Sequence, residues 1–191
     1  MIEFGIAQMS KPGFELSGDG YVLEQHDKGT LVAVIDGLGH GDKAHHAAQA
    51  AVAALKHMPH DSAMSLMQRC HLALTGTRGA VISVATLVND QLTWLGVGNV
   101  EGVLLRADGK TPRERLLLRG GVVGYRMPTL RTFNLPLQRG DTLIFATDGV
   151  RSAFADNLPL HATPQHIAQT ILDTHCRHTD DALVLVVRYQ P

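Results

Sequence analysis

Residues 30–58 read TLVAVIDGLGHGDKAHHAAQAAVAALKHM, and this stretch decides the fold. Its first seven residues are an apolar, β-branched run of strand length that ends on Asp36-Gly37. A turn of glycine and polar residues follows, with His40 between Gly39 and Gly41. From Lys43 the chain is Ala-rich, begins after an acidic capping position at Gly41-Asp42 and stops before Pro59, which predicts a helix. A buried strand therefore delivers a carboxylate to a flexible turn at the head of a helix.

The same pattern extends in both directions. IEFGIAQM, YVLEQ, AVISVATLV, QLTWLGVG, EGVLLRA, DTLIFATD and ALVLVVRY are short runs rich in Val, Ile, Leu and Thr, mostly bounded by Gly, Asp, Asn or Pro, and are expected to be strands. Asn89-Asp90, a pair able to adopt positive φ, separates two of them, so residues 80–106 are expected to form an antiparallel meander. Two further helices are predicted, AMSLMQRCHLAL after the Asp61-Ser62 cap, ending at Gly76, and PQHIAQTILDTHC, opened by Thr163-Pro164. Antiparallel strands with helices gathered in two blocks predict an α/β layered (α+β) fold and exclude alternating βαβ units. No repeat, low-complexity tract or linker interrupts the sequence, so residues 1–191 are expected to form a single domain.

Composition narrows the function classes. Seventeen Lys and Arg against 18 Asp and Glu leave a net charge of −1, with no positive excess to draw the chain to nucleic acid or anionic lipid. No signal-peptide pattern or membrane-spanning apolar run occurs, and the expected location is cytoplasmic. Cys70 and Cys176 are isolated from each other and lack zinc-site spacing, so both are expected to be free core thiols.

The chemistry lies in the acids at strand ends. TLVAVID ends on Asp36-Gly37, TLIFATD ends on Asp148-Gly149, Asp180-Asp181 precedes ALVLVV, and Asp19 in SGDG precedes YVLEQ. A strand holds its last residue firmly, and a following Gly lets the backbone turn sharply and bring a carbonyl near the same point, so these carboxylates are able to converge. Any one Asp-Gly can be just a turn; acids at four strand ends are a stronger pattern. Two like charges about 4 Å apart repel by ~4 kcal/mol at an effective dielectric near 20, a cost removed only by a proton or a cation. Oxygen-only ligands favour Mg²⁺, Ca²⁺ or Mn²⁺, and paired ions suit phosphoester hydrolysis.

The order SGDG, VAVIDGLGHGDKAHHAA, RGAVISVATL, LGVGNVEGVLLR, GDTLIFATDGV and DDALVLVV resembles the metal-dependent protein phosphatase (PPM, protein phosphatase 2C-like) family over nearly the whole chain, in its SpoIIE-like bacterial branch. GVGNVE and the lack of a sensor segment look most like the stand-alone stressosome phosphatases of that branch. The resemblance implies a central antiparallel β-sandwich flanked by helices, with two Mn²⁺ or Mg²⁺ ions at one end. It implies Asp36 as the bridging carboxylate, the Gly37 carbonyl as a ligand to the second ion, Asp148 as the late strand-end ligand, and Asp19 as a direct or water-mediated contact. Asp180 matches the first acid of the C-terminal pair, with Asp181 the alternative. The implied reaction is in-line attack by water on a phosphoserine or phosphothreonine, without a phosphoenzyme; the implied substrate is a STAS-domain stressosome protein, and the implied enzyme is a monomer.

Three positions depart from the family pattern. Leu38 stands where many relatives carry His, Leu183 where Thr or Ser is usual, and no early phosphate-clamping Arg is evident. His40 is a candidate proton donor or a turn-stabilising residue. These departures keep a second reading open, a degenerate module that binds a phosphoprotein without catalysis. Other features read as structure: His45, His46, His57, His60 and His71 lie on or beside helices without metal spacing, GVGNVEG is a tight strand connection, and Trp94 is core. RERLLLRGG, with Arg113, Arg115 and Arg119, is a solvated loop or a docking surface for an acidic partner.

Overall fold

The computed structural model, which describes residues 2–190, has ten strands and three α-helices, eight of the strands formed by the apolar runs. In chain order these are β1 (Ile2–Met9), β2 (Asp19–His26), β3 (Gly29–Gly37), α1 (Asp42–His57), α2 (Ala63–Ala73), β4 (Ala80–Val88), β5 (Gln91–Val97) and β6 (Glu101–Leu105). Then follow β7 (Glu114–Arg115), β8 (Phe133–Pro136), β9 (Thr142–Ala146), α3 (Pro164–His175) and β10 (Ala182–Tyr189). One sheet runs β1-β10-β9-β6-β7 and the other β2-β3-β4-β5-β8, with all paired strands antiparallel.

Strands buried on both faces read as continuous apolar runs, and β3, β4 and β10 lie in that position. Val32, Val34, Trp94, Phe145, Leu183 and Leu185 fill the space between the sheets. The opposite faces are covered by helices: α1 and α2 pack Ala47, Ala51, Leu55, Leu66 and Met67 onto β3 and β4, and α3 packs Ile167, Ala168 and Ile171 onto β1 and β10. The result is the expected sandwich flanked by helices, in four layers.

Local chemistry explains most boundaries. Asn89 and Asp90 have φ of 49° and 58°, the left-handed pair that a two-residue hairpin needs between β4 and β5. Ser62 Oγ accepts from the Ser65 N–H and Thr163 Oγ1 from the His166 N–H, capping α2 and α3. At α1 the expectation needs correction: the cap is Gly41, without a side-chain bond, and Asp42 is the first helical residue, where its charge complements the helix dipole. Helix α2 stops at Ala73, short of the expected Gly76.

Strands β7 and β8 are absent from the sequence reading because each is too short to show a period. Within RERLLLRGG, Glu114 and Arg115 pair with β6 and Leu116 is buried, while Arg113 and Arg115 form ion pairs with Asp156 and Glu101 at 2.5 and 3.1 Å. The stretch is an edge of the first sheet with two of its cations paired internally. Both cysteines are free and buried, and burial pushes the Cys70 thiol up to about 12, which makes it inert.

Candidate metal centre

Four acids reach one end of the sandwich from both sheets. Strands β2 and β3 pair with Asp19 opposite Asp36; Asp148 follows β9, and Asp180 lies just before β10. Asp36, Asp148 and Asp180 line a cleft of about 390 Å³ together with Leu38, His40, Val81 and Asn99. Asp19 sits behind them, only 4% exposed. A larger cleft, about 710 Å³, runs along β2 and α1 and includes, of these acids, only Asp19.

The glycines after the two strand-end acids are required by close approach. A Cβ on Gly37 would lie 2.1 Å from the Ala44 carbonyl oxygen of α1, and one on Gly149 would lie 1.9 Å from the Asp181 carbonyl oxygen. Neither has positive φ among the described residues, so the expected sharp turn is, at both sites, tight packing of backbone on backbone. Gly37 thereby seats Asp36 against the head of α1, and Gly149 draws Asp148 against the Asp180-Asp181 segment.

Hydrogen bonds then sort the acids. Thr147 Oγ1 donates to Asp19 Oδ2 at 2.8 Å and accepts from the Leu183 N–H at 2.9 Å. Asn99 Nδ2 donates to Asp148 Oδ2 at 2.9 Å. Asp181 is committed on both oxygens, accepting from the Lys11 and Gly18 N–H groups at 2.8 Å each, and Gly37 donates its N–H to the Gly18 carbonyl at 2.9 Å. Asp181 is thus an anchor for the loop before β2, and Asp180 is the member of the pair that faces the cleft.

The cluster lacks compensating charge. Among the described residues none of these five acids takes part in a salt bridge. Burial, with Asp148, Asp180 and Asp181 nearby, raises Asp36 to about 8. Burial and then Asp36 hold Asp19 well above the carboxylate range, against the bond from Thr147. Asp148 is raised by burial and by Asp180, with Asn99 and Arg177 opposing. The donor set consists of hard oxygens with unbalanced negative charge, which fits a divalent ion such as Mg²⁺ or Mn²⁺. Among the described residues no three His, Cys, Asp or Glu side chains close into a cage. Mg²⁺ does not need one, because it keeps several waters and takes one or two carboxylates.

Thr147 and Asn99 escaped the sequence reading. Thr147 precedes Asp148 in ATDG, and its β-branched side chain passed for strand; Asn99 lies in GVGN, which read as a connection. The structure also accounts for Leu183, which is fully buried between the sheets, while the hydroxyl beside it comes from Thr147 on the facing strand end.

A protein-family model for stage II sporulation protein E (SpoIIE) matches residues 26–190. The phosphoserine phosphatase RsbX of Bacillus subtilis (strain 168) is 27% identical over 147 residues, covering 76% of this chain and 73% of RsbX. A structure described in connection with the bacterial stressosome, as a modular system adapted to control secondary messenger signaling, superposes with a TM-score of 0.89 at 28% identity, covering 98% of this chain and all of the other. RsbX in complex with magnesium superposes at 0.86 with 22% identity, covering 99% of this chain and 96% of the other. With a matching model across most of its length and the acids of both sheets gathered at one end, the chain belongs to the SpoIIE family of PPM-type protein phosphatases.

Proposed function

We propose that this chain, as one domain over residues 1–191, removes phosphate from a phosphoserine or phosphothreonine of a STAS-domain stressosome protein, acting as a cytoplasmic monomer. The observation that carries the reading is the set of three carboxylates, Asp36, Asp148 and Asp180, lining one cleft with no paired cation among the described residues. The likeness to RsbX and to the stressosome-associated structure supports the substrate class.

Asp36, the Gly37 carbonyl, Asp148 and Asp180 would hold two divalent ions, Mn²⁺ or Mg²⁺, with Asp19 behind them. When bound, such ions supply an activated water and neutralise phosphoryl charge. The chain's own groups set up that chemistry. Asn99 fixes the Asp148 carboxylate, Thr147 fixes Asp19, and Asp181 ties the Gly18 loop against Gly37. His40 is exposed on the cleft wall, its ring 4.6 Å from that of Phe14, and would give a proton to the departing serine oxygen. No nucleophilic side chain is required, and both thiols are buried away from solvent.

The test is phosphate release by metal-stripped protein from p-nitrophenyl phosphate and from a phosphorylated STAS-domain protein, with Mn²⁺, Mg²⁺ or EDTA. Metal-dependent release, faster on the protein, is the expected result. A folded protein silent on both substrates would instead be a phosphoprotein-binding module.

A further inference from the structure

Beside the metal cleft lies a second one of about 440 Å³, lined by Asp42, Lys43, His46, Gly76, Thr77 and Arg78. Two elements build it. Lys43 and His46 stand one turn apart on α1, and Arg78 comes from the end of the α2–β4 connection. All three are exposed, and among the described residues none of their side chains makes a hydrogen bond or an ion pair.

The position of Arg78 follows from the ladder. Strands β3 and β4 pair Gly37 with Ala80, and the Leu38 N–H donates to the Gly79 carbonyl at 3.0 Å, so Arg78 falls opposite Gly39. Gly39 has φ of +94°, and a Cβ there would lie 2.5 Å from Arg78 Nη1. The guanidinium therefore rests on bare backbone. That same Gly39 lines the metal cleft from its other side. Gly39 lies two residues beyond the end of the ladder at Gly37 and three residues from Asp36, so the two are at most about 10 Å apart at ~3.3 Å per residue, within the reach of two to three residues of an extended peptide.

We propose that Lys43, His46 and Arg78 form a subsite for a carboxylate side chain two to three residues from the phosphoserine of the substrate protein. This rests on the phosphatase reading and adds a sequence preference to it. Charge decides the ligand: Lys43 and Arg78 against Asp42 leave one net positive charge, which a monoanion balances and a second phosphoryl dianion exceeds. A planar guanidinium with free Nη groups also suits the two oxygens of a carboxylate. The subsite gives the cleft a cationic wall that the metal site itself lacks, and orients the substrate chain through contacts that a small phosphoester cannot make.

The experiment compares phosphoserine peptides that carry Glu, Ala, Lys or a second phosphoserine at positions two and three residues to either side, using wild-type protein and Arg78→Glu and Arg78→Gln variants with Mn²⁺. Wild type is expected to show kcat/KM about 10-fold higher for a Glu peptide than for its Ala counterpart, the scale of one charge-assisted contact. Arg78→Gln should lose most of that ratio, and Arg78→Glu should invert it in favour of the Lys peptide, an inversion that also shows the variant to be folded. Equal rates of wild type on Glu and Ala peptides, or a Glu preference retained in Arg78→Glu, overturns the subsite. A stronger preference for the second phosphoserine overturns the carboxylate assignment. Absence of metal-dependent release from every peptide and from p-nitrophenyl phosphate is a different failure, that of the phosphatase reading.

Discussion

Strand β9 carries an aspartate just outside each end, and the two have opposite surroundings. Asp141 at its start is 1% exposed and fully satisfied: Arg106 Nη1 donates to it at 2.8 Å, and the Ala107 and Gln138 N–H groups donate at 3.0 Å. Arg106 in turn reaches Glu114 at 2.7 Å and the Pro136 carbonyl at 2.6 Å. Asp148 at its end has one amide, from Asn99, and acidic neighbours. Both sit on the same rigid strand. An acid with a structural role has its counter-charge built into the fold, whereas the acids around Asp148 leave that charge to be supplied from outside.

The sharpest way to break this contrast is to neutralise each side. Asp36→Asn is expected to reduce phosphate release by at least about 10³-fold while the far-ultraviolet circular dichroism stays unchanged, because a bound divalent ion is worth several kcal/mol to the reaction. Asp141→Ala should behave in the reverse manner. It leaves the nearly buried Arg106 with Glu114 as its acidic partner and the Ala107 and Gln138 N–H groups without their acceptor, and is expected to cost about 2–3 kcal/mol of stability, read by urea unfolding, with the folded fraction still active.

Thr147→Val tests the link between the two kinds of site. The isostere leaves Asp19 and the Leu183 N–H without their hydroxyl, at about 1–3 kcal/mol, and should weaken Mn²⁺ binding measured by calorimetry. Wild-type stability together with wild-type ion affinity would show that Thr147 has no such part. The last test is a tilt with pH. Asp36 holds its proton to about 8 in the fold but has an ordinary value of 3.8, so between these values the native state binds more protons than the unfolded chain. Metal-free protein should therefore lose stability as pH rises from about 4 to about 8, and Asp36→Asn should flatten that slope in urea unfolding with EDTA. A stability that climbs across the window would contradict the placement of Asp36 among like charges.

Periodicity made the sandwich legible, because eight of its ten strands are long enough to show an apolar run and the hairpin at Asn89-Asp90 carries its own turn chemistry. The strand ends likewise exposed Asp36, Asp148 and Asp180, since Gly or a second Asp follows each. What the sequence could not reveal depends on pairing across the fold. Asp181 is as acidic as Asp180, and only the N–H groups of Lys11 and Gly18, far away in the chain, show which of them is an anchor. Nothing in the sequence around Asp141 marks its pairing with Arg106, which comes from another strand end. Gly37 and Gly149 were identified correctly as special, but for bends in the chain, when their service is to let α1 and the β10 entry come within contact distance.

The acids at the cleft come from both sheets: Asp19 and Asp36 belong to the second, Asp148 and Asp180 to the first. Elsewhere these sheets are joined mainly by apolar side chains, which resist sliding weakly because dispersion contacts have little directional preference. A cation held across the mouth would act as a clasp at one end of the two-sheet stack. Loading it would slow hydrogen exchange at the β3 and β9 termini while leaving the Arg106 end unaltered, and the enzyme's mechanical stiffness would then report the ion concentration around it.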